Sequence, residues 1–194
     1  MRICIFCEGE SEKNYIQSLN RFLRECDIWD IRLIEKSLDG VNNNNYCSKI
    51  KKYKAKDVKY FTHFYAWLDF DIFKRSGKNE YEIKENVEKI SFNSKKVTLL
   101  LNYMNGEDLV ILHEEDCKIK EWEKICKQNN HFETPMISKV YLPLFKKNIK
   151  EGYKKGDAPV LSRDILEKCI KNINDTNIPF KSDIKLILEI ILAK

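Results

Sequence analysis

The chain has no apolar run close to the roughly 18 residues that a membrane-spanning helix needs, so no transmembrane segment is expected. Its first residues lack the basic stretch, long apolar core and small-residue cleavage site of a secretory signal. The opening apolar run is short and stops at Glu8, as a first strand would. A cytoplasmic protein without a membrane partner is therefore predicted. Regular cysteine spacing is also missing: seven cysteines, an odd number, argue against a disulfide framework. No internal repeat is visible, and no low-complexity segment beyond the run Asn42–Asn45. Charge of one sign is not in great excess either. The net charge of +5 is mild for 194 residues, so any partner has to be inferred from where charges cluster.

What is present reads as an α/β fold. With 34 % charged and 43 % hydrophobic residues, the chain suits one globular domain with a proper core. Apolar runs predict strands at Ile3–Cys7, Trp29–Glu35, Phe61–Leu68 and Val97–Leu101, the last fully buried. Between them, Ser11 can cap a helix whose apolar face is Tyr15, Ile16, Leu19, Phe22 and Leu23. A short lysine-rich helix follows the polar loop after Asp39–Gly40. Asn79–Ile90 reads as a helix with Ile83, Val87 and Ile90 on one face. Alternating strands and helices predict a mostly parallel four-stranded sheet flanked by helices. Beyond Asn102 the pattern is helical only: Glu107–Glu115, a helix bearing Trp122 and Ile125, Met136–Lys155 bent or interrupted near Pro143, a helix capped by Ser162, and a last one from near Ser182. The expectation is a single domain over 1–194, with residues 1–105 as sheet core and 106–194 as a helical part packed on it.

Two strand ends carry acid. Glu8 follows the first strand and Asp69 follows the third, with Asp71 two residues on. Carboxylates at the carboxyl rim of an open α/β sheet stand where ligands bind. Clustered carboxylates are hard-oxygen ligands for Mg²⁺ or Mn²⁺. Gly9 would allow a tight turn into the helix, and Glu12 can face the strand end. In extended geometry Asp69 and Asp71 would project the same way. Glu8, Asp69 and Asp71 could then hold one ion, with Glu12 helping to hold a second. Glu10 and Glu12 can equally be read as favourable charge at a helix N-terminus, and that is the reading preferred for Glu10.

Other metal readings are weaker. Cys4-x-x-Cys7 could bind zinc with His113 and Cys117, but strand positions three apart point to opposite faces, so buried cysteines are the plainer reading. His63 and His131 have no partner visible in sequence and read as structural or surface residues.

The acidic pattern resembles the TOPRIM domain, whose hallmarks are a glutamate after the first strand and Asp-x-Asp after a later one. More closely, Cys7-Glu8-Gly9-Glu10-Ser11-Glu12-Lys13-Asn14-Tyr15 is similar to the N-terminus of the RloB-like branch, Cys-Glu-Gly-x-(Thr/Ser)-Glu-x-x-Tyr. That family also has Asn-Pro-x-Phe-Glu-x-Trp-Leu-Leu-x-His. Here Asn105–His113 aligns with its Glu at Glu107 and its His at His113, while the Pro, Phe and Trp are absent. Asn177-Ile178-Pro179 and the following helix resemble the family's tail. The resemblance implies a TOPRIM-like fold and a Mg²⁺- or Mn²⁺-dependent nuclease cutting DNA or RNA in bacterial antiphage defence. It further implies Glu8, Asp69 and Asp71 at one metal, and Glu12 and Glu107 near a second. His113 would support that loop or be an ordinary satisfied histidine. A lysine would steady developing charge, with Lys139 the first choice and Lys154 or Lys155 the alternatives. The partner could be another defence protein such as an ATPase, and a homo-oligomer is left open.

Lysines crowd two segments. Lys49, Lys51, Lys52, Lys54 and neighbouring Lys56 and Lys59 form one, and Lys139, Lys146, Lys147, Lys150, Lys154 and Lys155 the other. Around an acidic centre they suit a polyanion, with Lys49, Lys51, Lys52, Lys54, Lys147, Lys154 and Lys155 as phosphate-binding candidates. Taken alone they read as a solvated, lysine-rich surface. Two rivals to a nuclease stay open: a non-catalytic TOPRIM sensor or scaffold, and nucleotidyl transfer as in primases.

Overall fold

The computed structural model describes residues 1–38, 44–53, 58–74, 76–103 and 108–194. The first half comprises β1 (Arg2–Cys7), α1 (Glu10–Glu25), β2 (Arg32–Ser37), α2 (Tyr46–Lys51), β3 (His63–Asp69), α3 (Asp71–Lys74), α4 (Glu80–Glu88), β4 (Ser91–Phe92) and β5 (Lys95–Asn102). Helices follow: α5 (Asp108–Ile111), α6 (Asp116–Gln128), α7 (Ser138–Asn148), α8 (Arg163–Asn174) and α9 (Lys185–Leu192). The sheet order is β2-β1-β3-β5-β4, parallel except for β4 against β5. The α/β class, the mostly parallel sheet and the helical second half are as expected.

The strand count is not: the described residues form five strands rather than four. The added strand, β4, is two residues long, too short for apolar alternation to register. It turns into β5 through Asn93 and Ser94, both at positive φ (48° and 64°), the backbone that a two-residue hairpin needs.

Alternation along β1 builds the layers. Ile3, Ile5 and Cys7 enter one buried cluster with α1 and the helices after Asp108, while Cys4 and Phe6 enter another with α2, α3 and α4. A parallel strand buried on both faces has this apolar continuity. Cys4 and Cys7 thus lie on opposite faces and cannot share a metal ion. Tyr15, Ile16, Leu19, Phe22 and Leu23 of α1 are buried as their spacing predicts. Ile83, Val87 and Ile90 are buried too, and Asn79 caps α4 by accepting from the Glu82 N–H at 3.0 Å.

Several boundaries differ from expectation. α1 starts at Glu10, and its cap comes from Glu12, whose Oε2 accepts the Gly9 N–H at 3.0 Å. Gly9 has φ −144°, a backbone open to any residue, so no tight glycine turn exists there. β2 pairs from Arg32 onward, leaving Trp29 71 % exposed before the strand. β5 is not fully buried: it begins at Lys95, Lys96 is exposed, and within Val97–Leu101 Thr98 is exposed too. The helix expected over Glu107–Glu115 is described only as α5, which ends at Ile111. α7 runs through Pro143; buried Tyr141 and Phe145 hold it where one backbone hydrogen bond is lost. Ser162 does cap α8, accepting from the Ile165 N–H at 3.3 Å. α9 begins at Lys185, three residues after Ser182, whose hydroxyl donates to Asn102 and accepts from the Ile184 N–H. Among the described residues no helix is long and apolar enough to cross a membrane.

The winding decides where a site can lie. From β1 the chain passes through α1 on one face to β2, then returns past β1 through α2 on the other face to β3. Connections that diverge in this way leave a crevice between the carboxyl ends of β1 and β3.

Candidate metal centre

Glu8 is the first residue beyond β1, and Asp69 is the last of β3. The two strands pair directly, Cys7 opposite Trp67, so both carboxylates emerge side by side at the crevice. Glu8 Oε2 accepts the Asp69 N–H at 3.0 Å. Asp71 reaches the same place differently from expectation. The strand stops at Asp69, Phe70 N–H bonds to the Asn102 carbonyl at 2.8 Å, and Asp71 opens α3. This turn, rather than extended alternation, leaves Asp71 8 % exposed and close enough for its charge to act on Glu8 and Asp69. Glu12 comes from the first turn of α1 and is 4 % exposed. Glu10 lies on the exposed side of the same turn. Glu107 and Lys54 lie outside the described residues.

Together Glu8 to Glu12, Asp69, Lys155 and Gly156 line a cleft of about 410 Å³. Burial is the chief force on its acids. It pushes Glu8 up from 4.5 to about 8, with repulsion from Glu12 and Asp71 added; the Asp69 N–H and Lys155 oppose this without cancelling it. Asp69 is driven well above the ordinary carboxylate range by burial and then by Glu12 and Glu8, which outweigh the hydrogen bond from Asn102. A cation in the cleft would relieve this mutual repulsion, although among the described residues these acids do not form a ready-made cluster of metal-ligand atoms. The donors are carboxylate oxygens only, which fits Mg²⁺ or Mn²⁺ better than a softer metal.

Lys155 owes its place to a loop tied along α1. Asn14 Nδ2 donates to the Gly156 carbonyl at 2.9 Å, and Ser18 Oγ donates to the Pro159 carbonyl at 2.7 Å. Gly156 has φ +84°, and a Cβ there would sit 3.3 Å from Asn14 Nδ2, so glycine is required. Lys155 Nζ donates to Ser138 Oγ at 3.3 Å. Lys139, the first choice from sequence, is exposed next to Ser138 and does not line the cleft; Lys155 does.

The remaining basic candidates are dispersed. Lys154 is exposed beside Lys155. Lys49 Nζ donates to the Leu38 carbonyl at 2.6 Å, closing the end of β2, with Lys51 and Lys52 exposed at the end of α2. Lys147 lies about 14 Å along α7 from Ser138, at 1.5 Å per residue.

The histidines are not at the cleft. His113 is buried in the turn after α5, its Nδ1 2.8 Å from the Leu109 carbonyl and its Nε2 2.9 Å from Tyr15 Oη. A carbonyl only accepts, so Nδ1 carries the proton and Nε2 accepts from the tyrosine. Burial pushes this histidine down to about 4. It is a satisfied core residue, and Cys117, once paired with it as a zinc candidate, is exposed.

His131, unpartnered in sequence, belongs to a second buried polar centre. Among the described residues Asp108, Cys126 and His131 offer ligand atoms within 4.8 Å of one another, a group that could hold a metal ion of unfixed identity. The same atoms also satisfy one another. Asp108 accepts from Trp122 Nε1 and from His131 Nε2, each at 3.0 Å, and His131 Nδ1 accepts the Met136 N–H at 2.8 Å. The ring proton therefore sits on Nε2, facing Asp108. No sequence spacing signals this centre, because its members come from α5, α6 and the loop after it.

A scan against protein-family models finds no match to the chain, and searches of curated proteins and of solved structures find none either.

Proposed function

We propose that this protein is a divalent-metal-dependent nuclease of TOPRIM, RloB-like type, hydrolysing phosphodiester bonds of DNA or RNA in bacterial antiphage defence. The observation that carries the reading is the meeting of Glu8, Glu12, Asp69 and Asp71 at the crevice between β1 and β3, with Glu8 and Asp69 both strained by burial and mutual repulsion. Glu8, Asp69 and Asp71 would hold Mg²⁺ or Mn²⁺, with Glu12 available to a second ion. When bound, the cation supplies Lewis-acid polarisation and charge stabilisation worth several kcal/mol to phosphoryl chemistry. Lys155, at the mouth of the same cleft, would hold a non-bridging phosphate oxygen. His113 takes no part in proton transfer, since both ring nitrogens are bonded inside the core.

The test is incubation of purified protein with labelled DNA and RNA in Mg²⁺ or Mn²⁺. Glu8→Ala and Asp69→Ala should each lower cleavage at least a hundredfold, as loss of several kcal/mol requires. Full activity in either variant would refute this assignment. Metal binding by the wild type without cleavage of any polymer would point to a sensor or scaffold instead.

A further inference from the structure

Asn102, at the carboxyl end of β5, is 2 % exposed and joins three elements. Its Oδ1 accepts from Trp67 Nε1 at 3.0 Å and from Ser182 Oγ at 2.6 Å, and its Nδ2 donates to Asp69 Oδ1 at 3.0 Å. The orientation of this amide is forced. An indole N–H only donates, so the oxygen must face Trp67. The Ser182 hydroxyl accepts from the Ile184 N–H at 3.2 Å, which leaves its own proton for the same oxygen. The amide nitrogen then has Asp69 as its partner.

The anchor is built by the far end of the chain. Lys181–Asp183 runs antiparallel to the close of β5: Tyr103 N–H bonds to the Lys181 carbonyl at 3.1 Å and Asp183 N–H to the Leu101 carbonyl at 2.9 Å. Asp183 Oδ2 returns a bond to Leu101 N–H at 3.1 Å. β4 pairs with β5 only at Lys95 and Lys96, so this segment covers the edge that β4 leaves open near the crevice.

Building on the metal-site reading above, we infer that Asn102 is a positioning residue: aimed by Trp67 and Ser182, its amide holds one oxygen of Asp69 inward and presents the carboxylate to the cation cleft. Groups that orient a metal's carboxylate ligands are worth about 10- to 100-fold in metal affinity. An amide is suited to this place because it can accept from an indole while donating to a carboxylate.

The experiment is Mn²⁺ titration, read by electron paramagnetic resonance, of the wild type, Asn102→Ala and Ser182→Ala, with circular dichroism to verify folding. Asn102→Ala should bind about tenfold or more weakly, and Ser182→Ala a few-fold more weakly because Trp67 still aims the amide. Mg²⁺ titration followed by NMR supplies a signature that simple loss of packing would not give. The Trp67 indole N–H resonance should move in the wild type and stay still in Asn102→Ala, with exposed Trp29 unmoved in both. If Asn102→Ala does not fold, Ser182→Ala and the Trp67 resonance decide alone. Unchanged Mn²⁺ affinity in every folded variant, or a Trp67 resonance indifferent to Mg²⁺, overturns the inference and leaves the metal site standing. Absence of Mn²⁺ binding by the wild type overturns the metal site itself.

Discussion

Among the described residues, two buried groups of acid and polar side chains are built differently. Around Asp108, the carboxylate meets N–H donors from Trp122 and His131, and the far ring nitrogen of His131 is met by Met136. Around Asp69, the charges of Glu8, Glu12 and Asp71 act on one another, and the donors include Asn102 for Asp69, the Asp69 N–H for Glu8, the Gly9 N–H for Glu12, and Lys155 at the rim. The first centre satisfies its polar atoms from within, as a core must. In the second, burial and neighbouring acids together raise Glu8 and Asp69 above the ordinary carboxylate range. Burial alone therefore does not single out a candidate site; burial among other acids, at a sheet's topological switch, is what distinguishes the cleft.

Isosteric neutralisation should separate the two most sharply. Asp108→Asn sets an amide N–H₂ against donors and should lower the melting temperature by roughly 2–12 °C, from about 1–3 kcal/mol per unsatisfied buried group at about 2–4 °C per kcal/mol. Asp69→Asn keeps the oxygen that Asn102 contacts and removes a repelling charge, so it should raise the melting temperature of metal-free protein by about 3 °C. Thermal melts in chelator test both; equal signs would erase the distinction.

Cation binding should act on one centre only. At about 100 times the dissociation constant, Mg²⁺ or Mn²⁺ should stabilise the wild type by about 2.7 kcal/mol. The gain should vanish in Glu8→Ala and persist in Asp108→Asn, as calorimetry with and without metal would reveal.

A pH series sharpens the contrast further. The folded-state value for Glu8 is raised from 4.5 to about 8, so folded protein binds more protons than unfolded protein across that window. Its contribution is complete below about 4.5 and is lost as pH rises through about 8. Asp69 is raised as well and acts in the same direction. His113 is lowered from 6.5 to about 4, so its contribution is present above 6.5 and lost as pH falls towards 4. Between pH 6.5 and 8 only the carboxylates should matter: metal-free protein should lose stability with rising pH, and saturating Mg²⁺ should flatten the slope. The smallest effect concerns charge at the rim. Lys155→Ala should reduce cleavage about tenfold while Lys139→Ala leaves it within about twofold, measured on the same labelled substrates.

Much of the frame was legible from residue order. The buried faces of α1 and α4, the Ser162 cap and the strand ends at Glu8 and Asp69 follow from local spacing and capping chemistry. Short or compensated features were not. β4 has too few residues to show a period, Pro143 is outvoted by the packing of Tyr141 and Phe145, and the Glu12 side chain replaces Ser11 as the cap of α1. Lys155 was one lysine among many until Asn14 and Ser18 tied its loop to α1. Asn102 looked like the end of an apolar run and nothing more.

By itself, then, the sequence determined most of the strands and helices and that acid follows two of the strands, because periodicity and capping are encoded within a few residues. Only the tertiary structure decided that those acids share one crevice, that Lys155 stands over it, and that Asn102 reaches Asp69 from 33 positions away while Ser182, 80 positions further on, holds Asn102. Such proximity depends on strand order and on the return of the chain's last segment to β5, and neither leaves a trace in local spacing.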